Sequence, residues 1–195
     1  AGSGLFGYLE FPSDQLLALP LWLDALKRIA EERIAIARCD DDVGSCGSST
    51  LTVWRAKVHE LRTLEAMQRL IEVNRFVNGF AARASKPGAA NHWASPLEFL
   101  AQGGDAEDVA VMKFVTLRNA GVTNESLRIV IVYDTLKQQR HAVLAATLAE
   151  GTFILDTVSN AVLPAERLKY YLPYYSMNET TRWAHVVRRQ RASDG

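Results

Sequence analysis

The sequence predicts an α+β protein in which a helical N-terminal part packs on an antiparallel β-sheet. Apolar residues recur at helical spacing through much of residues 13–120. From about 127 to 190 the pattern changes to short β-branched segments separated by turn residues. Helices that precede strands, instead of alternating with them, indicate an antiparallel sheet. We expect one domain over residues 1–195, since a chain of this length can bury a single core.

The composition is that of an ordinary globular protein, with 48% hydrophobic and 23% charged residues. Lys+Arg and Asp+Glu both number 22, so no global charge favours nucleic acid or an anionic membrane. No apolar run approaches the ~20 residues that a membrane span requires, and a transmembrane protein is not predicted. The opening AGSG is typical of a cloning remnant, and we expect an export signal to have preceded it.

Two long helices are predicted in the first 80 residues. The first runs from about Leu16 to Arg38, with Ser13 or Asp14 as its cap. Its regular part should begin at Pro20, because proline is tolerated only in a first turn. The second, from Trp54 to Phe80, has the buried stripe of one long amphipathic helix.

Cys39 and Cys46 flank a segment of three acids, a glycine and a serine, which is the composition of a loop. Their spacing suits a small disulfide loop and is wider than that of paired zinc ligands. A disulfide would indicate an oxidising compartment. Two free thiols in a loop are the alternative.

Two shorter helices follow the turn-rich loop RASKPGAAN. Ser95 is predicted to cap the helix of SPLEFL, with Pro96 at its first position. The residues GGD then introduce a helix over about 106–119, which ends near Gly121. Three acids stand at its start, namely Asp105, Glu107 and Asp108.

In the last third of the chain, β-branched and apolar composition predicts four strands, at LRIVIVYD, RHAVLAATLA, TFILD and TRWAHVV. A turn at Glu150-Gly151 should join the second strand to the third, and a short helix is expected around PAERLKYYL. The aromatic run YYLPYY could contribute to a partner surface, with core packing expected for at least half of it.

The entry to the predicted helix over about 106–119 is a candidate site, although Ala106 itself can perform no chemistry. Unpaired N–H groups and the positive dipole end at a helix N-terminus lower the pKa of a thiol and favour the thiolate nucleophile. The preceding Gly-Gly pair allows a sharp turn and a close approach of substrate.

His141 and Asp156 lie on consecutive predicted strands and could complete a Cys/His/Asp arrangement. A turn centred on Glu150-Gly151 would place Asp156 opposite Ala145, so direct pairing with His141 needs a bulge or a turn nearer Leu148-Ala149. By the residues alone, ordinary roles are favoured: a packed histidine, an aspartate in a turn, and acids that cap a helix.

A specific resemblance to a known protein family favours catalytic roles for these residues instead. The segment NHWASPLEFLAQGGDAEDVAVMK resembles the bacterial transglutaminase-like cysteine proteinases, the LapG family of periplasmic proteases. His141 in HAVL and Asp156 in LD match the family's other two catalytic positions, and RLIEVNRFVN and LPYYSMN are also similar to family segments. The residues of the central segment that match the family motif are Trp93, Pro96, Glu98, Leu100, Gly104, Asp105, Glu107 and Asp108.

Ala106 stands where the family has its nucleophilic Cys. We expect an engineered inactivation, with a naturally inactive relative as the alternative. The resemblance implies a papain/transglutaminase-like fold, with His141 as the base and Asp156 orienting its ring. The backbone N–H of residue 106 is a candidate oxyanion donor. Trp93 could line the cleft, or could serve only in packing.

The resemblance further implies a calcium-dependent periplasmic endopeptidase. Its substrate would be a large surface adhesin, cut near the N-terminus at an Ala-Ala site to release cells from a biofilm. The periplasmic domain of a membrane-bound cyclic-di-GMP receptor would sequester it. Asp105 and Glu107 are the expected calcium ligands, with Asp108 or Asn91 as further candidates. A catalytically inactive binding module and a transglutaminase-type acyl transferase are the alternatives.

Overall fold

The computed structural model describes residues 4–81 and 90–187. Its strands form one seven-stranded sheet in the order β1-β7-β6-β2-β3-β4-β5, and every neighbouring pair is antiparallel. The α-helices pack on the sheet, so the predicted α+β class is confirmed. Most of the predicted RASKPGAAN loop and the end of the basic tail lie outside the described residues.

The helices described are α1 Pro20–Asp41, α2 Ser49–Leu61, α3 Ala66–Ala81, α4 Pro96–Gln102 and α5 Ala106–Asn119. Those at SPLEFL and 106–119 agree with the expected positions. In the part of the chain that the structure covers, no helix is both long and apolar enough to cross a membrane.

The strands are β1 Leu9–Ser13, β2 Leu127–Asp134, β3 Gln139–Leu148, β4 Gly151–Leu155, β5 Leu163–Pro164, β6 Tyr171–Met177 and β7 Arg182–Val186. The four predicted strands correspond to β2, β3, β4 and β7. The predicted short helix around PAERLKYYL is wrong, since it is reduced to a 3-10 turn at Ala165–Arg167.

No strand was predicted at β1, at the short β5 or at β6, which is an interior strand of the sheet. In β6 the aromatic run contains Pro173, which cannot donate to a sheet ladder. Pro173 lies opposite Val132, and the β2–β6 register shifts between Ile131 and Val132. The irregularity at this point accommodates the missing N–H group, and the strand continues on both sides of it.

The first helix begins at Pro20, as expected, but its predicted caps are wrong. Ser13 is the last residue of β1, and Leu19 precedes the helix without a side-chain cap.

The first helix extends to Asp41, beyond the predicted end at Arg38, so Cys39 lies in its last turn. Its sulfur is bonded to Cys46, which confirms the predicted disulfide.

The predicted helix from Trp54 to Phe80 is two helices, α2 and α3, separated by residues 62–65. Arg69 supplies hydrogen-bond donors to backbone carbonyls at the break between the two helices. Its guanidinium donates to the carbonyls of Leu61 (2.9 Å) and Leu64 (2.8 Å). A helix end leaves its last carbonyls without partners, so these bonds replace those of a continuous helix.

The main core lies between the helices and one face of the sheet, and Trp22, Trp54 and Phe114 are among its largest buried side chains. Every residue of α5 from Asp108 to Leu117 is buried, because neighbouring helices and strands surround it. A smaller cluster, which includes Val130, Val143 and Tyr171, covers the opposite face. The fold thus fixes α5 against β2 and β3.

Candidate active site

The first turn of α5 is closed by two aspartates that bond each other's backbone. The N–H of Asp108 donates to Asp105 Oδ1 (3.3 Å), and the N–H of Asp105 donates to Asp108 Oδ2 (3.0 Å). Gly103 has φ 73°, and a Cβ at Gly104 would collide with the Asp108 carboxylate. Gly103 is therefore favoured by its backbone conformation, and Gly104 by the close approach of the Asp108 side chain.

Asp108 also holds the preceding segment, because its Oδ1 accepts the N–H of Ala94 at 2.7 Å. Burial raises the pKa of this carboxyl to about 6, although the bond from Ala94 opposes the rise and the Asp105 charge adds to it. Both oxygens of Asp108 are thus committed to backbone donors. These two bonds explain the placement of Asp108 by structure, and each oxygen keeps a further lone pair that is able to coordinate calcium.

Glu107 lies beside Ala106 and is partly buried. Burial is the main cause that raises the pKa of its carboxyl, and the Asp105 charge raises it further. Arg140 Nε is 3.6 Å from Glu107 Oε1, and the charges of Arg140 and His141 oppose the rise. Among residues 4–81 and 90–187, no group of three or more His, Cys, Asp or Glu side chains is arranged to hold a metal ion.

His141 and Asp156 form a buried pair, with side chains only 8% and 7% exposed and His141 Nε2 2.7 Å from Asp156 Oδ1. The predicted turn was wrong by one residue: Leu148 pairs with Gly151, so the turn is Ala149-Glu150. The last β3–β4 pair is Leu144 with Leu155. Asp156 therefore follows beside Val143 and reaches His141 diagonally on the same face, without a bulge.

The carboxylate of Asp156 has further partners. Tyr171 donates its hydroxyl to Oδ2, and the N–H of Val158 donates to Oδ1 at 3.2 Å. Burial alone would raise the pKa of Asp156, but the bonds from His141, Tyr171 and Val158 together hold it below the ordinary value. No role at the site was predicted for Tyr171, and its position in the aromatic run was the only signal in the sequence.

The predicted site residues come from three elements that meet in the fold. Ala106 begins α5, His141 lies near the start of β3, and Asp156 follows β4. α5 packs on β3, and Arg140, beside His141, reaches Glu107, beside Ala106. The Nε2 atom of His141 faces Asp156, which leaves Nδ1 for a reacting group.

Trp93 belongs to the core and is 6% exposed. Its ring packs at 6.3 Å from that of Trp22, and its carbonyl accepts from Arg28 Nη2 at 2.6 Å. These contacts are those of the packing role that was given as the alternative to a substrate contact for Trp93. Asn91 is exposed at the start of the same segment.

Comparison with known protein families identifies the family of this chain. The sequence model of the bacterial transglutaminase-like cysteine proteinases matches residues 35–191. The chain belongs to this family. It is a cysteine protease by family, and its transglutaminase-like fold is the one that the resemblance implied. No curated protein sequence is significantly similar to it.

Solved structures of LapG from Legionella pneumophila are similar to this chain. The calcium-bound LapG has 27% sequence identity and a TM-score of 0.67, over 81% of this chain and 92% of that one. The EGTA-treated LapG has 28% identity and a TM-score of 0.66, over 76% of this chain and 84% of that one. The similarity therefore covers most of both chains.

Proposed function

We propose that the protein is a LapG-like endopeptidase whose nucleophile belongs at position 106, with His141 as the base and Asp156 as the group that orients it. The observation that carries the proposal is the buried 2.7 Å contact between His141 Nε2 and Asp156 Oδ1. A histidine held in this way, on a strand that packs against α5, is what a thiol at residue 106 would need.

With cysteine at position 106, His141 Nδ1 would accept the thiol proton, and the thiolate would attack the scissile carbonyl carbon. The backbone N–H of residue 106 would donate to the resulting oxyanion, because a first-turn N–H has no partner within the helix. His141 would return the proton to the leaving amine. A water, deprotonated by the same Nδ1, would then hydrolyse the thioester and restore the thiol.

Alanine at position 106 supplies no nucleophile, so we propose that this chain binds its substrate without cutting it. The replacement is consistent with an engineered inactivation. The neighbouring capping bonds of Asp105 and Asp108 form without a thiol, so the loss of the sulfur leaves the turn that presents residue 106 in place.

Calcium is the proposed metal, with Asp105 and Glu107 as its ligands. The two carboxylates repel each other, and the pKa of Glu107 is raised by burial and by that neighbouring charge. Such a pair suits a hard cation that prefers oxygen, with backbone carbonyls and water completing ~6–8 ligands. When bound, calcium would neutralise this charge and hold the turn before α5. The calcium-bound LapG supports the proposal by similarity.

The substrate and partner are proposed from the resemblance. The substrate would be a large surface adhesin, cut near its N-terminus at an Ala-Ala site to release biofilm cells. The partner would be the periplasmic domain of a membrane-bound cyclic-di-GMP receptor. The disulfide between Cys39 and Cys46 supports a periplasmic location, since such bonds persist in oxidising compartments.

Restoring the thiol tests the proposal. Ala106→Cys should cut an adhesin fragment with an Ala-Ala site, and the thiol should alkylate faster than an ordinary exposed cysteine. His141→Gln and Asp156→Asn in that background are expected to remove most of the activity, and the unchanged chain should only bind. A free carboxylate on the product, formed in the presence of a primary amine, would indicate hydrolysis and not acyl transfer. An inert Cys variant with an ordinary thiol would leave the binding module as the function.

Calorimetric titration of the chain as it stands tests the metal separately from activity. Calcium binding is expected, and Asp105→Asn and Glu107→Gln should each weaken it at least tenfold, because each removes a charged ligand. Asp14→Asn is the control, since Asp14 is an exposed acid remote from α5 in sequence. Binding that survives both ligand substitutions would place the metal elsewhere.

A further inference from the structure

Tyr171 is a buried tyrosine whose hydroxyl donates a hydrogen bond to Asp156 of the proposed catalytic pair. It begins β6, is 1% exposed, and its ring centroid lies 5.8 Å from that of His141. Phe6 and Tyr170 pack against the same ring at 6.3 Å and 4.7 Å, both with edge-to-face geometry. The ring is therefore fixed by its neighbours before its hydroxyl makes any bond.

The hydroxyl donates to the oxygen of Asp156 that His141 does not use. His141 and the N–H of Val158 share Oδ1, whereas Tyr171 is the donor to Oδ2 among the residues that the structure describes. Asp156 lies just past the end of β4, where no sheet ladder restrains its side chain. With Oδ2 held, the carboxylate plane is fixed and Oδ1 stays directed at Nε2.

We propose that Tyr171 is a positioning residue of the protease site, which holds the Asp156 carboxylate in the orientation that keeps the proton of His141 on Nε2. The proposal rests on the proposed function, because only a base at Nδ1 gives this orientation a purpose. Without the hydroxyl, Oδ2 becomes a buried acceptor with no partner, and the carboxylate gains from turning toward another donor. The imidazole would then lose the bond that selects its tautomer.

Tyr171→Phe tests this, because it removes one hydroxyl and keeps the ring. Tyr170→Phe is the matched control: it is the adjacent tyrosine, it packs on Tyr171, and no hydrogen bond from its hydroxyl to a described residue is present. Imidazole ¹⁵N NMR of the chain with Ala106, with the signal assigned by His141→Gln, reports the tautomer directly. We expect a predominant Nε2–H tautomer in the parent and in Tyr170→Phe, and a mixture in Tyr171→Phe.

In the Ala106→Cys background, Tyr171→Phe should lower kcat about tenfold or more with KM little changed, as expected for loss of a bond to a charged group. When Ala106→Cys is combined with Asp156→Asn, the further substitution Tyr171→Phe should leave the rate of thiol alkylation unchanged, since Tyr171 acts through the carboxylate. The proposal would be overturned by an unchanged tautomer or an unchanged kcat in Tyr171→Phe. It would also be overturned if Tyr171→Phe slowed thiol alkylation as much with Asp156→Asn as without it. If the Cys variant is inert, the proposed function fails while the tautomer still decides the role of Tyr171.

Discussion

Lys113 is a buried basic residue on α5, two helical turns after Ala106 and 1% exposed. Burial lowers the pKa of its ammonium to about 7, although the charge of Asp156 opposes this. The lysine thus belongs to the electrostatic environment of Asp156. It is also a cost to folding, because an unfolded lysine keeps its proton up to about pH 10.5.

Lys113→Met should therefore stabilise the protein. In the native state the pKa lies below the unfolded value, so the cost of burial is fully present below about pH 7 and disappears as the pH rises to about 10.5. We expect a gain of roughly 2–4 kcal/mol at pH 6.5 that vanishes above pH ~10.5. Urea unfolding at the two pH values measures it. Lys137→Met, an exposed control, should change little, and an equal gain at both pH values would contradict the argument.

At the scale of elements, Arg69 of α3 helps to hold the boundary between α2 and α3. Arg69 donates to the carbonyls of Leu61 and Leu64, and these carbonyls lie at or just after the end of α2. Arg75, by contrast, forms an exposed ion pair with Glu72 on the surface of α3. Two arginines six residues apart on one helix therefore have different energetic roles.

Arg69→Met is predicted to destabilise the fold by about 1–3 kcal/mol, because it removes the donor to the Leu64 carbonyl and leaves the Leu61 carbonyl only the N–H of Leu64, while it keeps most of the aliphatic stem. Arg75→Met should cost at most ~0.5 kcal/mol, since an exposed pair of this kind contributes little. Urea unfolding of the two variants makes the comparison. Equal losses would mean that the interhelical break is held by packing alone.

The disulfide is the second feature at this scale, and it joins the end of α1 to the segment before α2. Cys39→Ser combined with Cys46→Ser should lower the free energy of unfolding by ~2–3 kcal/mol, the value expected for so short a closed loop. Addition of reductant to the parent should give a similar loss in chemical denaturation. A midpoint that does not move under either treatment would show that the bond does not constrain the unfolded chain.

At the scale of the whole molecule, α3 connects the helical part to the segment that carries Asp156. Asn78 Nδ2 donates to the carbonyl of Asp156 at 2.9 Å, and Asn74 Nδ2 donates to the carbonyl of Ser159 at 3.0 Å. The loop after β4 is thus held by a helix about 80 residues earlier in the sequence. Elsewhere Trp22 Nε1 donates to the carbonyl of Asn178, which joins α1 to the segment after β6.

Asn78→Ala in the Ala106→Cys background is predicted to lower kcat about threefold to tenfold, because the backbone of Asp156 loses a partner and the His141–Asp156 contact is less well held. Stability should fall by only ~1 kcal/mol. Gln68→Ala, at an exposed position of the same helix, is the control. Peptide cleavage and urea unfolding measure the two effects, and an unchanged kcat would show that α3 does not support the site.

The sequence by itself determined the elements that have local signals. Ser95 with Pro96 marks the start of α4, GGD marks the start of α5, and the β-branched segments mark β2, β3 and β4. Caps, glycine turns and side-chain period act within a few residues, so they can be interpreted from the chain alone. The cysteine spacing likewise predicted the disulfide, and the motif around Ala106 predicted the family.

Only the tertiary structure decided the features that depend on distant contacts. β6 lies between β2 and β7 despite Pro173, because both neighbours supply ladder bonds and the register shift absorbs the missing donor. The contact of His141 with Asp156 depended on a turn one residue earlier than predicted, and the bond from Tyr171 on a strand that the sequence analysis missed. Such pairings are set by long-range packing, which overrides local propensity, and no short stretch of sequence contains both partners.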